Sequence, residues 1–138
     1  MNRDDLMVLS RERVRDARAL LTVRRYAAAY YLCGYSIECA IKACIAAKTA
    51  KYDFPDKALA TSAYSHDLVQ LVKVAGLQSQ LNAQVSKNPQ FATNWAIAKD
   101  WAETRRYELT IGRPQARDLY TATTARQHGV LKWIKQFW

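Results

Sequence analysis

The feature that most constrains this sequence is the stretch Tyr26–Lys48, in which only Glu38 and Lys42 are charged before the closing lysine. At a helical advance of about 100° per residue, apolar side chains cover nearly the whole circumference of a helix formed here. Small residues recur along it and allow neighbouring helices to approach closely. The stretch therefore predicts the buried central helix of a bundle.

The same stretch is not predicted to cross a membrane. Glu38 and Lys42 lie near its middle, and the hydroxyl groups of its tyrosines would need hydrogen-bond partners in lipid. We therefore expect no membrane association. No apolar run follows the basic start Met1–Arg3, so no signal peptide is predicted either, and the expected location is cytoplasmic.

Length and composition favour one all-α domain. A chain of 138 residues can bury a substantial core, and four glycines with three prolines leave little room for turn-rich β architecture. We predict an up-and-down antiparallel bundle of about five helices that comprises residues 1–138. Beside the central helix, the predicted helices are 6–23, 66–75 behind a Ser65 N-cap, 77–87, a segment begun by Asn88 and Pro89, and 114–137. Residues 49–65 are predicted to connect two helices, with a turn at 53–56.

The cysteines are predicted to be structural. All three lie on the central helix, where Cys33 and Cys44 share a face. At a rise of 1.5 Å per residue these two are separated by about 16 Å, too far for a disulfide or a shared metal. Because the chain has only two histidines in addition, no metal or cofactor is expected, and the thiols should be buried and reduced.

The charge balance favours an acidic partner. The 21 Lys and Arg residues exceed the 12 Asp and Glu residues, which gives a formal net charge of +9. Two groups of cations each share a face of a predicted helix: Arg11, Arg15 and Arg18 on the first, and Arg117, Lys132 and Lys135 on the last. Each group can bind phosphates or form an ordinary solvated surface.

One polar cluster is predicted around Glu38. Arg13 projects into the apolar face of the first helix, so it either extends to the edge or meets a buried carboxylate, for which Glu38 is the natural candidate. Lys42 lies one turn after Glu38 and can also pair with it. We predict that Glu38 is at least half buried against one of these cations. A structural ion pair is the favoured interpretation, and an acid–base site near Tyr31 and Tyr35 is the alternative.

Four segments carry a resemblance to a known family: RRYAAAYYLCGYSIECAIKACIA, YSHDLVQLVKVAGL, NWAIAKDWAETRRYEL and GVLKWIKQFW. In this order, over residues 24–138, they resemble the HEPN domain family, in the group of small stand-alone bacterial members. The resemblance implies an up-and-down α-helical bundle that forms homodimers. It also implies a family prominent in RNA cleavage, in toxin–antitoxin pairs with minimal nucleotidyltransferases, and in antiviral defence.

The ribonucleolytic members of that family share an arginine followed, after roughly four to six residues, by a histidine. The histidine can move the proton of a ribose 2′-hydroxyl, and the arginine can stabilise charge on the scissile phosphate. Neither His66 nor His128 has an arginine at this spacing, the nearest to His128 being Arg126. His66, predicted in the first turn of a helix, is interpreted as a hydrogen-bonded structural residue, with an acid–base role as the alternative.

The sequence therefore predicts a HEPN-like binding module for RNA, a nucleotide or a cognate partner, with the two cationic groups as ligand-binding residues. Tryptophans could stack on bases, although Trp95 and Trp133 lie in core patterns. A first alternative is a divergent metal-independent endoribonuclease that uses His66 or His128 with Arg106 or Arg126. A second is a structural partner of a minimal nucleotidyltransferase.

Overall fold

A computed structural model of the protein describes residues 1–49, 57–102 and 109–138. Within these ranges the chain forms eight α-helices and no strand. In chain order the helices are α1 (Arg3–Thr22), α2 (Tyr26–Lys48), α3 (Lys57–Ser62), α4 (Leu68–Val74), α5 (Gln78–Lys87), α6 (Pro89–Lys99), α7 (Arg113–Thr124) and α8 (Val130–Ile134). The all-α prediction is confirmed.

Helix α2 has the bounds that the sequence predicts, and it forms the centre of the structure. Thirteen of its residues are buried, and its apolar side chains belong to one hydrophobic cluster to which α1 and α4–α8 also contribute. Gly34 lies directly beneath the indole ring of Trp101, where a Cβ would overlap the ring. The small residues of α2 therefore allow close contact on several sides, as expected for a helix apolar nearly all round.

Helices α1 and α2 form an antiparallel hairpin joined at residues 23–25, where Arg24 has a positive φ of 61°. The Ser10 hydroxyl donates a hydrogen bond of 2.8 Å to the backbone oxygen of Ser36. These two residues lie at similar distances along the chain from the connection, so the helices run in opposite directions. Both side chains are fully buried, so this hydrogen bond lies inside the interface between α1 and α2.

The C-terminal helices run in the same direction as α2. Near the start of α2, Cys33 Sγ lies 3.4 Å from Thr123 Oγ1 of α7, and further along, Cys44 Sγ lies 3.6 Å from the backbone oxygen of Ile134 in α8. From the first contact to the second, residue numbers increase on both sides, from Cys33 to Cys44 and from Thr123 to Ile134. Helices α7 and α8 therefore run parallel to α2. The predicted bundle is present, but its helices do not alternate strictly in direction, because α7 and α8 run parallel to α2.

Helix α4 also runs parallel to α2. His66, which precedes α4, contacts Glu38, and Gly76, which follows it, lies against Lys48. The N-cap of α4 is Asp67, whose carboxylate accepts hydrogen bonds from two backbone N–H groups of the first turn. The predicted Ser65 cap is wrong: the Ser65 hydroxyl accepts from the backbone N–H of Asp67 and so shapes the turn before the helix.

Two further boundaries differ from the prediction. Helix α1 begins at Arg3 because Asn2 and Asp5 form a reciprocal capping box. Helix α3 occupies part of the segment predicted as a loop, and the predicted turn at 53–56 lies outside the described residues. The predicted start of α6 is confirmed, since the Asn88 side chain accepts from the backbone N–H of Phe91 and Pro89 occupies the first turn.

The predicted last helix, 114–137, is two helices separated by residues 125–129. His128 has a positive φ of 64°, which interrupts the helix. At Gly129 the backbone of Ala125 approaches so closely that a Cβ would overlap its carbonyl oxygen. Glycine is therefore required at this position. About five helices are predicted in total, although six segments are predicted individually. The eight helices of the described residues are these six together with α3 and the division of the predicted last helix into α7 and α8.

The three cysteines are free and buried, as predicted. Burial raises the pKa of the Cys33 and Cys39 thiols to about 12 and that of Cys44 to about 11. All three therefore remain protonated at neutral pH. Among the described helices, none is both long enough and apolar enough to span a membrane.

Candidate functional site

A groove lies between α1 and the C-terminal helices. Its volume is about 450 Å³. Its walls are formed by residues of α1, the end of α7, the α7–α8 connection and α8: Ser10, Arg11, Val14, Arg15, Thr123, Thr124, Ala125, Arg126, Leu131, Lys132 and Lys135. We call this the basic groove, because five of these side chains are cationic.

The helical repeat and the α7–α8 break together position the five cations. Arg11 and Arg15 are one turn apart on α1 and so share the face that lines the groove. Lys132 and Lys135 are similarly placed at the other wall, on α8 and at its C-cap. Arg126 comes from the connection between α7 and α8. The groove therefore joins cations from three separate parts of the chain.

The charged side chains that line the groove are all positive. No acidic side chain of the described residues lines it. At its edge, Arg15 forms a 3.0 Å ion pair with Glu12, in which both side chains are largely exposed. Burial, and then the neighbouring charge of Arg11, lowers the pKa of Lys135 below its ordinary value. A bound anion would offset this repulsion, so the arrangement favours anionic ligands.

An aromatic ring lies beside these cations. The guanidinium carbon of Arg11 is 5.2 Å from the ring centroid of Trp138, and Lys135 Nζ is 5.5 Å from the same centroid. Both distances are in the range of cation–π contacts. Trp138 is partly buried and packs against the hydrophobic core. The sequence pattern does not single out this residue, because its position next to Arg11 is a tertiary contact.

The predicted ligand-binding residues are only partly brought together. Arg11, Arg15, Lys132 and Lys135 line the basic groove, whereas Arg18 and Arg117 are exposed and do not line it. The groove also contains Arg126, which the sequence analysis considered only as a nuclease residue. Arg18 and Arg117 are solvated cations of the helix surfaces and serve below as controls.

The second polar cluster is centred on Glu38, which is 1 % exposed. Its Oε1 atom accepts from Lys42 Nζ at 2.9 Å and lies 2.8 Å from His66 Nδ1. The prediction of a buried Glu38 paired with Lys42 is confirmed. Of the two cations predicted as alternatives, Lys42 is the one that contacts Glu38. Arg13 Nε instead lies 3.0 Å from Asp16 Oδ2 on its own helix, an ion pair without the geometry of a hydrogen bond.

The contact between His66 and Glu38 has a chemical consequence. A carboxylate accepts hydrogen bonds, so His66 carries its proton on Nδ1 and leaves Nε2 for another partner. The imidazole is about half exposed, so this arrangement can support acid–base chemistry. Burial, and then the negative charge of Glu38, raises the pKa of Tyr35, so its phenol stays protonated and is not available as a base. His66 does not line the basic groove.

His128 has a structural role in the α7–α8 connection. Asn88 Nδ2 lies 2.6 Å from His128 Nδ1, and Asn94 Nδ2 donates to the backbone oxygen of His128 at 2.9 Å. Both contacts tie the connection to the N-terminal part of α6. Since Asn88 Oδ1 already accepts from a backbone N–H, its amide nitrogen donates to His128. Arg106, the remaining nuclease candidate, lies outside the described residues.

Comparison with protein-family models, curated proteins and solved structures gives no match to this chain. The resemblance to the HEPN family therefore stays a prediction. Within the described residues, no group of three or more histidine, cysteine, aspartate or glutamate side chains is placed to hold a metal ion.

Proposed function

We propose that this protein is a HEPN-like binding module for RNA that holds phosphates in the basic groove. The observation that carries the proposal is the convergence of five cations on one cleft that no acidic side chain of the described residues enters. Lysine and arginine side chains neutralise phosphates and release condensed counterions when they bind nucleic acid. The net charge of +9 adds long-range attraction for a polyanion.

The number and the origin of the groove cations favour a strand over a small anion. The five cations are distributed over two helices and the α7–α8 connection. Such a distribution matches successive phosphates of a backbone, and phosphate contacts give little sequence preference. The implied membership of a family prominent in RNA cleavage supports RNA as the polyanion.

The test compares two matched double variants. Arg11→Ala with Lys135→Ala removes two groove cations, and Arg18→Ala with Arg117→Ala removes two cations outside the groove, so both lower the net charge by the same amount. RNA binding is measured by filter titration at a series of salt concentrations. For the unmodified protein, log affinity should fall with log salt at a slope of about −0.7 for each phosphate contact to a single strand.

The groove variant should weaken binding and flatten the slope by roughly one unit or more, while the control should change both only slightly. An equal effect of the two variants would show that binding depends on net charge and not on the groove. Absence of RNA binding at low salt would remove the proposal. In that event the nucleotidyltransferase-type protein partner implied by the family resemblance becomes the stronger hypothesis.

The proposal includes a homodimer, which the HEPN resemblance implies. Two-fold symmetry would present the groove twice, so one strand could occupy both copies and bind more tightly than either groove alone. Size-exclusion chromatography with light scattering measures the mass directly. A dimer should show stronger binding to a long oligonucleotide than to one that fills a single groove, and a monomer should show little length dependence beyond that size.

A further inference from the structure

We infer that the basic groove takes a single strand, with one unpaired base stacked on the indole ring of Trp138. The inference rests on the proposed function and adds the class of nucleic acid and the residue that contacts a base. It rests on the partly exposed Trp138, whose ring is contacted by two groove cations, Arg11 and Lys135.

Trp138 differs from the other three tryptophans of the chain. Trp95, Trp101 and Trp133 are 7 %, 2 % and 5 % exposed, and each is part of the hydrophobic core. Trp133, for example, packs against the rings of Phe91 and Phe137 at centroid distances of 5.4 and 5.2 Å. All four tryptophans lie within the described residues, and among them Trp138 alone is only partly buried. Arg11 and Lys135 lie over its ring, so a base reaches the ring by taking the place of one of these cations.

The cations beside the ring supply the contacts for the phosphates. Arg11 and Lys135 lie 5.2 and 5.5 Å from the ring centroid, and both also line the groove. A base stacked on the indole would place the adjoining phosphate next to these two side chains. Their mutual repulsion, part of what lowers the pKa of Lys135, would decrease with an anion between them. Stacking and phosphate binding at this point support each other.

The requirement for a single strand follows from access to the base. Inside a duplex the bases are paired and stacked on each other, and only an unpaired base can present its face to an aromatic side chain. A duplex could contact the groove cations through its phosphates but not Trp138 through a base. Stacking on an aromatic ring accepts any base, in agreement with an expected weak sequence preference.

The experiment separates stacking from charge. Three probes are compared at equal phosphate number: an oligouridylate of about ten nucleotides, an abasic ribose-phosphate strand of the same length and a duplex. We expect the oligouridylate to bind about tenfold more tightly than the abasic strand. Trp138→Leu should abolish this difference between the two strands, whereas Trp138→Phe, which keeps an aromatic ring, should retain most of it.

Tryptophan fluorescence gives a second measurement that needs no variant. Because the other three tryptophans are buried, quenching by a bound base reports on Trp138. The oligouridylate should quench, and the abasic strand should not. Equal binding of the two strands, or no quenching by bound oligouridylate, would overturn the inference and leave phosphate binding in the groove intact. Failure of every probe to bind would instead remove the proposed function itself.

Discussion

His66 Nδ1 lies 2.8 Å from Oε1 of Glu38 and donates a hydrogen bond to this buried carboxylate from a segment that precedes α4. Lys42 donates to the same oxygen, while Oε2 of Glu38 is buried without a hydrogen-bond partner among the described residues. The pairing joins α4 to the central helix through one carboxylate. Glu38 therefore holds two elements together at a position where an unpaired charge would be costly.

Replacement of Glu38 by alanine should reduce the free energy of unfolding by about 3 kcal/mol or more, because Lys42 would be left without its buried partner. Chemical denaturation measures the loss. Glu12→Ala is the matched control, since Glu12 forms an exposed pair with Arg15 and should cost about 0.5 kcal/mol. A loss below about 1 kcal/mol for Glu38→Ala would show that the cluster contributes little to stability.

Gly34→Ala should destabilise the fold through overpacking. The added methyl group would overlap the indole of Trp101, which is 2 % exposed and has no free space to move into. We expect a loss of about 1–3 kcal/mol in the free energy of unfolding. Gly112→Ala is the control, because its methyl group would meet the flexible end of Gln115 at 3.3 Å and Pro114 Cδ at 3.6 Å, an ordinary contact distance. It should change stability by no more than about 0.5 kcal/mol. Similar losses for the two variants would contradict the role of Gly34.

RNA affinity should depend on pH through Lys135. In the free protein the pKa of this lysine is lowered from 10.5 by burial and by Arg11. A bound phosphate favours the charged form and raises the pKa again, so binding takes up a proton once the pH exceeds the lowered value. Affinity should therefore fall as the pH rises through the lowered pKa toward 10.5. In Lys135→Arg, which stays charged throughout, a titration over the same range should show a smaller decrease. An equal decrease in both proteins would assign the effect to other groups.

The purified protein should show no metal-independent RNA cleavage. Neither histidine lines the groove that contains the cations, and His128 is held by Asn88 and Asn94 in the α7–α8 connection. A labelled RNA incubated with the protein and a chelator should therefore remain intact. Cleavage that persists in chelator and disappears in His66→Ala would establish the ribonuclease alternative, with Glu38 as the group that orients the imidazole.

The central part of the fold could be predicted because its signals are local. Tyr26–Lys48 has almost no charge to interrupt the helix, and the structure gives it the predicted bounds. The break at 125–129 was missed because the apolar pattern stays in phase across it, and only Gly129 marks the place. The requirement for glycine arises from the approach of Ala125, a tertiary contact that periodicity does not contain.

In the candidate site, too, the local features could be predicted from the sequence and the tertiary contacts could not. Helical spacing predicts that Arg11 and Arg15 share a face, as do Lys132 and Lys135, and the structure places both pairs in the groove. That these faces meet depends on the pairing of α1 with the C-terminal helices, which helical spacing does not encode. Helical spacing likewise predicts the face of Arg13 but leaves its partner open, and the structure pairs it with Asp16 on its own helix.

The contacts of Cys33 with Thr123 and of Cys44 with Ile134 each join residues 90 positions apart. Contacts at this separation carry a larger loop-closure entropy cost than contacts within a helix, and a chain that has formed only its local helices lacks them. Thr123 and the helix that contains Ile134 belong to one wall of the groove, and α1 supplies the opposite wall. A partly folded chain would carry all five cations but no groove. RNA retention by the groove would thus separate molecules that have completed folding from those that have not.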